Sequence, residues 1–342
     1  MNNTRKVGIL IPGKAFISRL PRQLALATVL CGTVLSGFGQ SLAESSESFH
    51  NKLLQLGTGP QGGAFRPIGN ALCDAVNEDR GRTLVRCVPV ATAGTTFNLQ
   101  AVADGSLQLA LAQEDLLAEM AASPQSVHGR NLRVVALMHT SPIAIMVRKS
   151  AGITSLHQIA GKVVNLGNRG SGQFAITAAI LKALDLRIEN LGGVTYAATS
   201  EFERLFCEGK VDVVVEAVAH PADLFRKLRA CGGEFLDVPQ AVQQRMKADN
   251  RYLTAMAIPA QTYDGQDQAV TTLGMRNVLV TNAAVAIEAI FRFTLSLQAR
   301  LPQAQVAQAV LRSVGPTTLA TQDSLPVPLH PGAARALAKG KP

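Results

Sequence analysis

Two glycine-rich turns constrain this chain more than any other feature. The first is Gly57-Thr58-Gly59-Pro60-Gln61-Gly62-Gly63, directly after the apolar run Leu53 to Leu56. The second is Gly167-Asn168-Arg169-Gly170-Ser171-Gly172-Gln173, directly after Lys162-Val163-Val164-Asn165-Leu166. They stand 110 positions apart (167 − 57). Each sits where a buried strand should end and a helix begin. A strand that turns into a helix this way points free backbone N–H groups, and the positive end of a helix dipole, at an anion. Two such cradles predict two lobes that grip one small acidic molecule between them.

The rest of the chain alternates strand and helix, the pattern of a mostly parallel sheet layered by helices. Strands are predicted at Leu53–Leu56, Leu84–Val90, Leu107–Ala112, Leu132–Met138, Ile143–Val147, Val163–Leu166, Val211–Val215, Leu253–Ile258 and Leu273–Val280. The pair Leu132–Met138 and Ile143–Val147 is expected to flank a turn at Ser141-Pro142. Helices are predicted at Pro67–Val76, Thr95–Ala103, Glu114–Ala122, Thr154–Ile159, Ser171–Leu184, Ser200–Cys207, Pro221–Ala230 and Val242–Lys247, and from Ala283 to Ser313. The fold class is therefore α/β with two hinge-linked lobes and a cleft between them. The expected division is 50–147 with 259–338 as lobe 1, and 148–258 as lobe 2. Ligands of such folds bind at the carboxyl ends of strands, where both glycine turns lie. Apolar residues make up 47% and charged ones 17%, enough for a large core.

The N-terminus reads as an export signal over residues 1–43. Arg5, Lys6, Lys14, Arg19 and Arg22 precede the first acid, Glu44, and Leu24 to Leu35 is almost wholly apolar. That run falls short of the roughly 20 residues that span a bilayer. Ser41-Leu42-Ala43 offers small residues for cleavage near Ala43, so a periplasmic location is expected. Removing five cations lowers the formal charge from +9 to +4 (9 − 5). With tryptophan absent and aromatics at 4%, nucleic acid is not an expected partner.

Four cysteines remain: Cys73, Cys87, Cys207 and Cys231. An even number in an oxidising compartment suggests disulfides, with three possible connectivities. Neighbours in sequence give Cys73–Cys87 and Cys207–Cys231, one within each lobe, whereas crossed pairs would staple the lobes together. Their spacing does not suit zinc, and no metal is expected.

Catalytic and cofactor patterns are thin. Gly57-x-Gly59-x-x-Gly62 matches a dinucleotide fingerprint, but Ala91-Thr92-Ala93-Gly94-Thr95 lacks the acid for a ribose hydroxyl. No Gly-Lys-Ser/Thr follows either turn, so there is no phosphate loop of that kind. Gly170-Ser171-Gly172 is one residue short of a nucleophile elbow, and the histidines are scattered. A binding protein without cofactor, not an enzyme, is the expectation.

Several stretches together resemble the TAXI group of extracytoplasmic solute receptors, which serve TRAP transporters. They are Gly57 to Gly63, Thr92-Ala93-Gly94-Thr95-Thr96-Phe97-Asn98-Leu99, Ala112-Gln113-Glu114-Asp115, Gly167 to Gln173 and His220-Pro221. Ile258-Pro259 leading to Tyr263-Asp264-Gly265-Gln266, and Pro328-Leu329-His330-Pro331-Gly332-Ala333, complete the set. The resemblance spans about residues 52–338. It implies a type 2 periplasmic-binding-protein fold, delivery of a solute to a membrane permease, and ligands of the glutamate-like or C5 dicarboxylate class. Paired cysteines at these four positions in some members support the local disulfides. Carried over by position, Gly59, Gln61, Gly62 and Gly63 form the first cradle, and Thr92, Thr95 and Gln113 complete the lobe 1 side. Asn168, Ser171, Gly172 and Gln173 come from lobe 2, with His220 near the mouth.

Three departures bear on the ligand. The family's tyrosines before the first proline are replaced by Phe65 and Arg66, its small residue after glutamine by Glu114, and an aromatic residue before His-Pro by Glu216. Arg66 could fork a second ligand carboxylate, and Glu114 and Glu216 could meet an ammonium group, unless all three are solvated rim residues or pair with one another. An anionic or zwitterionic metabolite is therefore expected. The alternative is a sensory module of the same fold that reports ligand occupancy to a membrane receptor.

Overall fold

The computed structural model describes residues 53–123, 129–315, 319 and 325–339. The predicted export signal, with its cleavage point, and the middle of the loop 123–130 lie outside the described residues. In chain order the strands are β1 Leu53–Gly57, β2 Arg86–Val90, β3 Leu109–Gln113, β4 Leu132–Arg148, β5 Val163–Asn165, β6 Gly193–Thr195, β7 Val213–Ala217, β8 Gly233–Leu236, β9 Thr254–Ile258 and β10 Val270–Asn282. The helices are α1 Phe65–Glu78, α2 Arg80–Thr83, α3 Thr95–Ala103, α4 Glu114–Ala122, α5 Gly172–Ala183, α6 Phe202–Cys207, α7 Asp223–Ala230, α8 Gln240–Asp249, α9 Ile287–Ala307 and α10 Pro331–Lys339.

All ten strands are linked in the order β2-β1-β3-β10-β4-β7-β5-β6, with β8 beside β4 and β9 beside β10. The pairings β1–β2, β1–β3, β5–β6 and β5–β7 are parallel, as the alternating pattern predicts. The long strands β4 and β10 run antiparallel to their neighbours and pass through both lobes. From Leu132 to Pro142, β4 pairs with β10; from Ile143 onward it pairs with β7, and from Ile145 also with β8. The neighbours of β4 therefore change at Pro142–Ile143, and the register of β4 against β10 shifts between Arg276 and Val278.

A turn at Ser141-Pro142 is not formed; Leu132–Arg148 is one strand of 17 residues. Proline lacks an N–H for a ladder, so it is tolerated where pairing ends. Here Pro142 sits at the last β10 pairing, opposite Gly274. The expected strand Leu84–Val90 is shorter, because Arg80–Thr83 turns helical and Leu84 takes a left-handed φ of 58°. Pro67 stands inside the first turn of α1 and does not open it. The short strands β6 and β8 and the terminal α10 have no counterpart among the predicted elements.

Each lobe carries one apolar cluster on either face of its strands. In lobe 1, α1 and α9 cover one face with Ile68, Leu72, Val76, Phe293 and Leu297 against Leu54, Leu56, Leu109 and Leu111. α3 and α4 cover the other, with Leu99, Val102 and Leu117. In lobe 2, α5 and α8 place Ile176, Ile180, Val242 and Met246 on one face, and α6 and α7 place Phe202, Phe206, Phe225 and Leu228 on the other. Full burial of each such side chain stabilises by about 1.5–3 kcal/mol. Residues 253–275 contribute Leu253, Ile258, Tyr263, Val270, Leu273 and Met275 to the two lobe 2 clusters. Two disulfides join neighbouring elements: Cys73 in α1 to Cys87 in β2, and Cys207 at the end of α6 to Cys231 just past α7. The local pairing is thus the one that forms.

Candidate functional site

The residues that open four helices converge on one cavity of about 60 Å³. Gly63, Ala64 and Phe65 bring the start of α1, Gly94 and Thr95 that of α3, Gln113 caps α4, and Ser171, Gly172 and Gln173 open α5. An α-helix leaves its first-turn amides without intrahelical partners, so the lining is rich in N–H donors and in positive dipole ends. Each such contact with an anion contributes about 0.3–1 kcal/mol, and up to about 2 kcal/mol in a partly buried geometry.

Side-chain bonds fix this geometry. Ser171 Oγ accepts the Phe174 amide at 3.0 Å and donates to the Asn168 carbonyl at 2.6 Å, so one hydroxyl caps α5 and closes the second glycine turn. Thr95 Oγ1 accepts the Gln113 amide at 3.3 Å, which ties α3 to the end of β3. Gln173 donates Nε2 to the Val215 carbonyl at 2.8 Å, holding α5 against β7. The lobes touch around the cavity. Asn168 Nδ2 donates to the Ala93 carbonyl at 2.9 Å, and the Phe97 amide to the Gly170 carbonyl at 3.2 Å. At Gly62, with φ of 81°, an added Cβ would stand 2.8 Å from the Ser200 backbone nitrogen of the opposite lobe. At Gly172 it would stand 1.8 Å from Gln113 Oε1. Gly62 requires glycine, because the backbone of the other lobe stands in the way, whereas a side chain at Gly172 would have to displace the end of Gln113.

Nine of the predicted residues line the cavity: Gly59, Gly63, Thr95, Gln113, Asn168, Ser171, Gly172, Gln173 and Glu216. Six do not. Gln61, Gly62 and Arg66 are exposed, and Gly62 lies against Ser200 of the opposite lobe. Arg66, expected to fork a ligand carboxylate, is not on the lining of this cavity. Thr92 accepts the Gly94 amide at 3.2 Å and shapes the turn behind the lining. Glu114, expected to meet an ammonium group, is 1% exposed and already forked by Arg276, with Nε to Oε2 at 2.6 Å and Nη2 to Oε1 at 2.5 Å. It joins α4 to the crossing strand β10. Burial raises its pKa, opposed by the Arg276 hydrogen bonds and charge. His220 is 2.6 Å from the Tyr263 hydroxyl and stacks on Phe225, inside the lobe 2 aromatic cluster and away from the cavity wall. Burial lowers it to about 4 and keeps it neutral.

Pro60, Ala64, Phe65, Gly94, Ser141, Thr199 and Ala217 also line the cavity, outside the predicted set of contacts. Pro60 lies within the first glycine turn and Ala64 and Phe65 directly follow it, so that turn could have flagged them. Ser141 and Thr199 carry no such signal, since only the β4 crossing and the approach of the lobes bring them in. Glu216 is the one ionisable side chain among the described residues on this wall. Thr199 Oγ1 donates to its Oε2 at 3.2 Å. It opens onto the cavity but is enclosed by protein, and that burial pushes its carboxyl up to about 7. Among the described residues, no three His, Cys, Asp or Glu side chains group to hold a metal ion.

Residues 56–338, most of the chain, match the family model described as the NMT1-like family. The chain belongs to the NMT1-like family. This NMT1-like protein is also similar in structure to the periplasmic binding protein BugD. The two share 12% identity at a TM-score of 0.51, over 76% of this chain and 86% of that one. It is likewise similar to MatC from Rhodopseudomonas palustris, solved with bound malate, at 14% identity and a TM-score of 0.51 over 84% and 97% of the two chains. At these identities the likeness shows the fold, the two-lobe arrangement of periplasmic solute-binding proteins.

Proposed function

We propose that this protein is an exported solute receptor of the TAXI type, which holds a small carboxylate-bearing or zwitterionic metabolite between its lobes and delivers it to a TRAP permease. One observation carries the reading: four helix N-termini, from both lobes, meet at a single cavity that no Lys or Arg side chain lines among the described residues. Such a site binds an anion by fixed backbone donors, and closure exchanges the hydration of the ligand for those donors. Malate, bound in the structurally similar MatC, is a dicarboxylate, and the helix N-termini here suit one such group. The motif resemblance over about residues 52–338 supports the TAXI assignment and the permease partner. The basic and apolar segment before Glu44 supports export to the periplasm. No helix among the described residues is long and apolar enough to cross a membrane.

The lobe division goes with this reading: 50–147 and 259–338 against 148–258. Tyr263, Val270 and Met275 pack in the apolar clusters of residues 148–258, which bears on where the return crossing is drawn. Native mass spectrometry of freshly purified protein tests the function. The expected result is a small-metabolite mass increment, released unchanged on denaturation, with contraction of the protein in small-angle scattering when that metabolite is added back. Release of a chemically converted product would point to an enzyme. Absence of any bound solute, together with no thermal shift across a panel of carboxylates, would remove the receptor reading.

A further inference from the structure

The cavity at the helix N-termini has a larger neighbour of about 280 Å³, and Gly63, Ala64, Thr199 and Glu216 line both. The two differ in chemistry. The second is lined largely by apolar residues, Pro67 and Ile68 in α1, Val218 and Pro221 after β7, Leu224 in α7 and Val310 beyond α9, together with Gln308 and Asp223, whose side chain is 86% exposed. His139 also lines it, 2% exposed with Nδ1 unpartnered. Burial holds that imidazole at about 4 and therefore neutral, so it offers no cation to an anionic group. Neither cavity is lined by Lys or Arg among the described residues.

The helix starts supply N–H donors to the first cavity. Its lining also carries acceptors: Glu216, which lines both cavities, and the side chains of Gln113 and Gln173, whose Oε1 atoms are buried without a hydrogen-bond partner. Buried acceptors without partners are costly, so they call for a ligand that brings N–H donors. A second carboxylate on the ligand would meet the Glu216 carboxylate and apolar walls, with no cation to offset either cost.

This inference rests on the solute-receptor reading and narrows it. We propose that the ligand is an α-amino acid with an apolar side chain, its carboxylate at the helix N-termini, its ammonium at Glu216 and the Gln113 and Gln173 oxygens, and its side chain in the second cavity. A dicarboxylate is disfavoured by the same geometry.

Isothermal titration calorimetry of the mature protein, stripped of bound solute, tests the proposal with L-leucine, L-phenylalanine, 4-methylpentanoate, 3-methylbutylamine and glutarate. At least one of the two amino acids should bind tenfold or more tighter than 4-methylpentanoate, the amine or glutarate. Glu216→Gln should weaken that amino acid roughly 10- to 100-fold, the range of a charge-assisted hydrogen bond. It should leave 4-methylpentanoate unchanged or tighter, because that ligand brings no ammonium. Glutarate binding more tightly than both amino acids would overturn the ligand class while leaving the receptor reading in place. Equal weakening of the amino acid and 4-methylpentanoate would remove the Glu216–ammonium contact. If no amino acid binds, the proposal falls; if in addition no metabolite co-purifies and no carboxylate binds, the receptor reading falls with it.

Discussion

The two glycine cradles look alike in sequence but are held in place by different means. The second is fastened at its tip: Ser171 caps α5 and bonds back into the turn, and Ser171 and Gln173 are 6% and 5% exposed. The first has no side-chain cap, since Ala64 precedes α1 in a helical conformation, and its tip residues Gln61 and Gly62 face solvent. It is fastened further down. Cys73 in α1 is bonded to Cys87 in β2, and Asn77 brackets Cys87 with two hydrogen bonds, Nδ2 to the carbonyl at 2.8 Å and the amide to Oδ1 at 2.9 Å. One cradle is ordered by its own turn, the other by the helix and strand behind it. The anion-binding geometry is the same in kind, while the residues whose loss would disturb it differ.

The largest effect should separate the two anchors. Cys73→Ala with Cys87→Ala removes a closed loop of 14 residues and should cost about 3 kcal/mol of stability in urea unfolding. If affinity for the co-purified ligand falls along with stability, the first cradle depends on that staple; unchanged affinity would show that α1 keeps its place without it. The next substitution acts at the tip. Gly62→Ala imposes a left-handed alanine, which costs about 1–2 kcal/mol, and sets a Cβ against the Ser200 nitrogen only when the lobes meet. Affinity should therefore drop about tenfold, equivalent to roughly 1.4 kcal/mol. Gly170→Ala, at the same φ of 81° but with its Cβ at an ordinary 3.5 Å from Ala93, is the matched control. Equal losses at the two glycines would mean that the approach to Ser200 plays no part in capture. Ser171→Ala should cost about 1 kcal/mol through loss of the cap, measured by thermal or urea unfolding without ligand. No change there would erase the contrast between the cradles.

The smallest expected effect is a pH dependence set by the carboxylate that faces both cradles. Burial holds Glu216 at about 7, above its ordinary value of 4.5, so the folded chain keeps a proton that the unfolded chain releases. The stability from that proton is complete below about pH 4.5 and is lost as the pH rises through about 7. Buried Asp115, also pushed up to about 7, acts in the same direction. His139 and His220, lowered to about 4 by burial, act in the opposite one: they bind a proton in the unfolded chain first, so stability is lost as the pH falls from about 6.5 to 4. Glu216→Gln should remove only the Glu216 part of the decline between about pH 4.5 and 7, read as a wild-type-minus-variant difference in unfolding free energy. An identical pH profile for the two proteins would place Glu216 in free contact with water.

Short-range patterns carried much of the fold. Thr95–Ala103 and Glu114–Ala122 appear with the predicted bounds, and both glycine turns sit between a strand and a helix. They were legible because a helix period, a cap or a glycine turn is decided by a few neighbours in sequence. The local disulfides follow for the same reason, since their partners lie on adjacent elements. Errors cluster where a local signal met a distant constraint. Ser141-Pro142 has the composition of a turn, yet it continues a strand because β10 pairs on one side and β7 takes over just beyond.

The sequence by itself determined an alternating α/β chain with two N–H-rich turns and the cysteines that staple each half. Only the tertiary structure decided which members of those turns face inward, and it assigned opposite fates to Glu114 and Glu216. The first is neutralised by Arg276, which lies 162 positions away; the second is left against an open cavity, beside a hydroxyl. Charge in a site depends on what the fold brings near it across the cleft, and no local pattern encodes that distance.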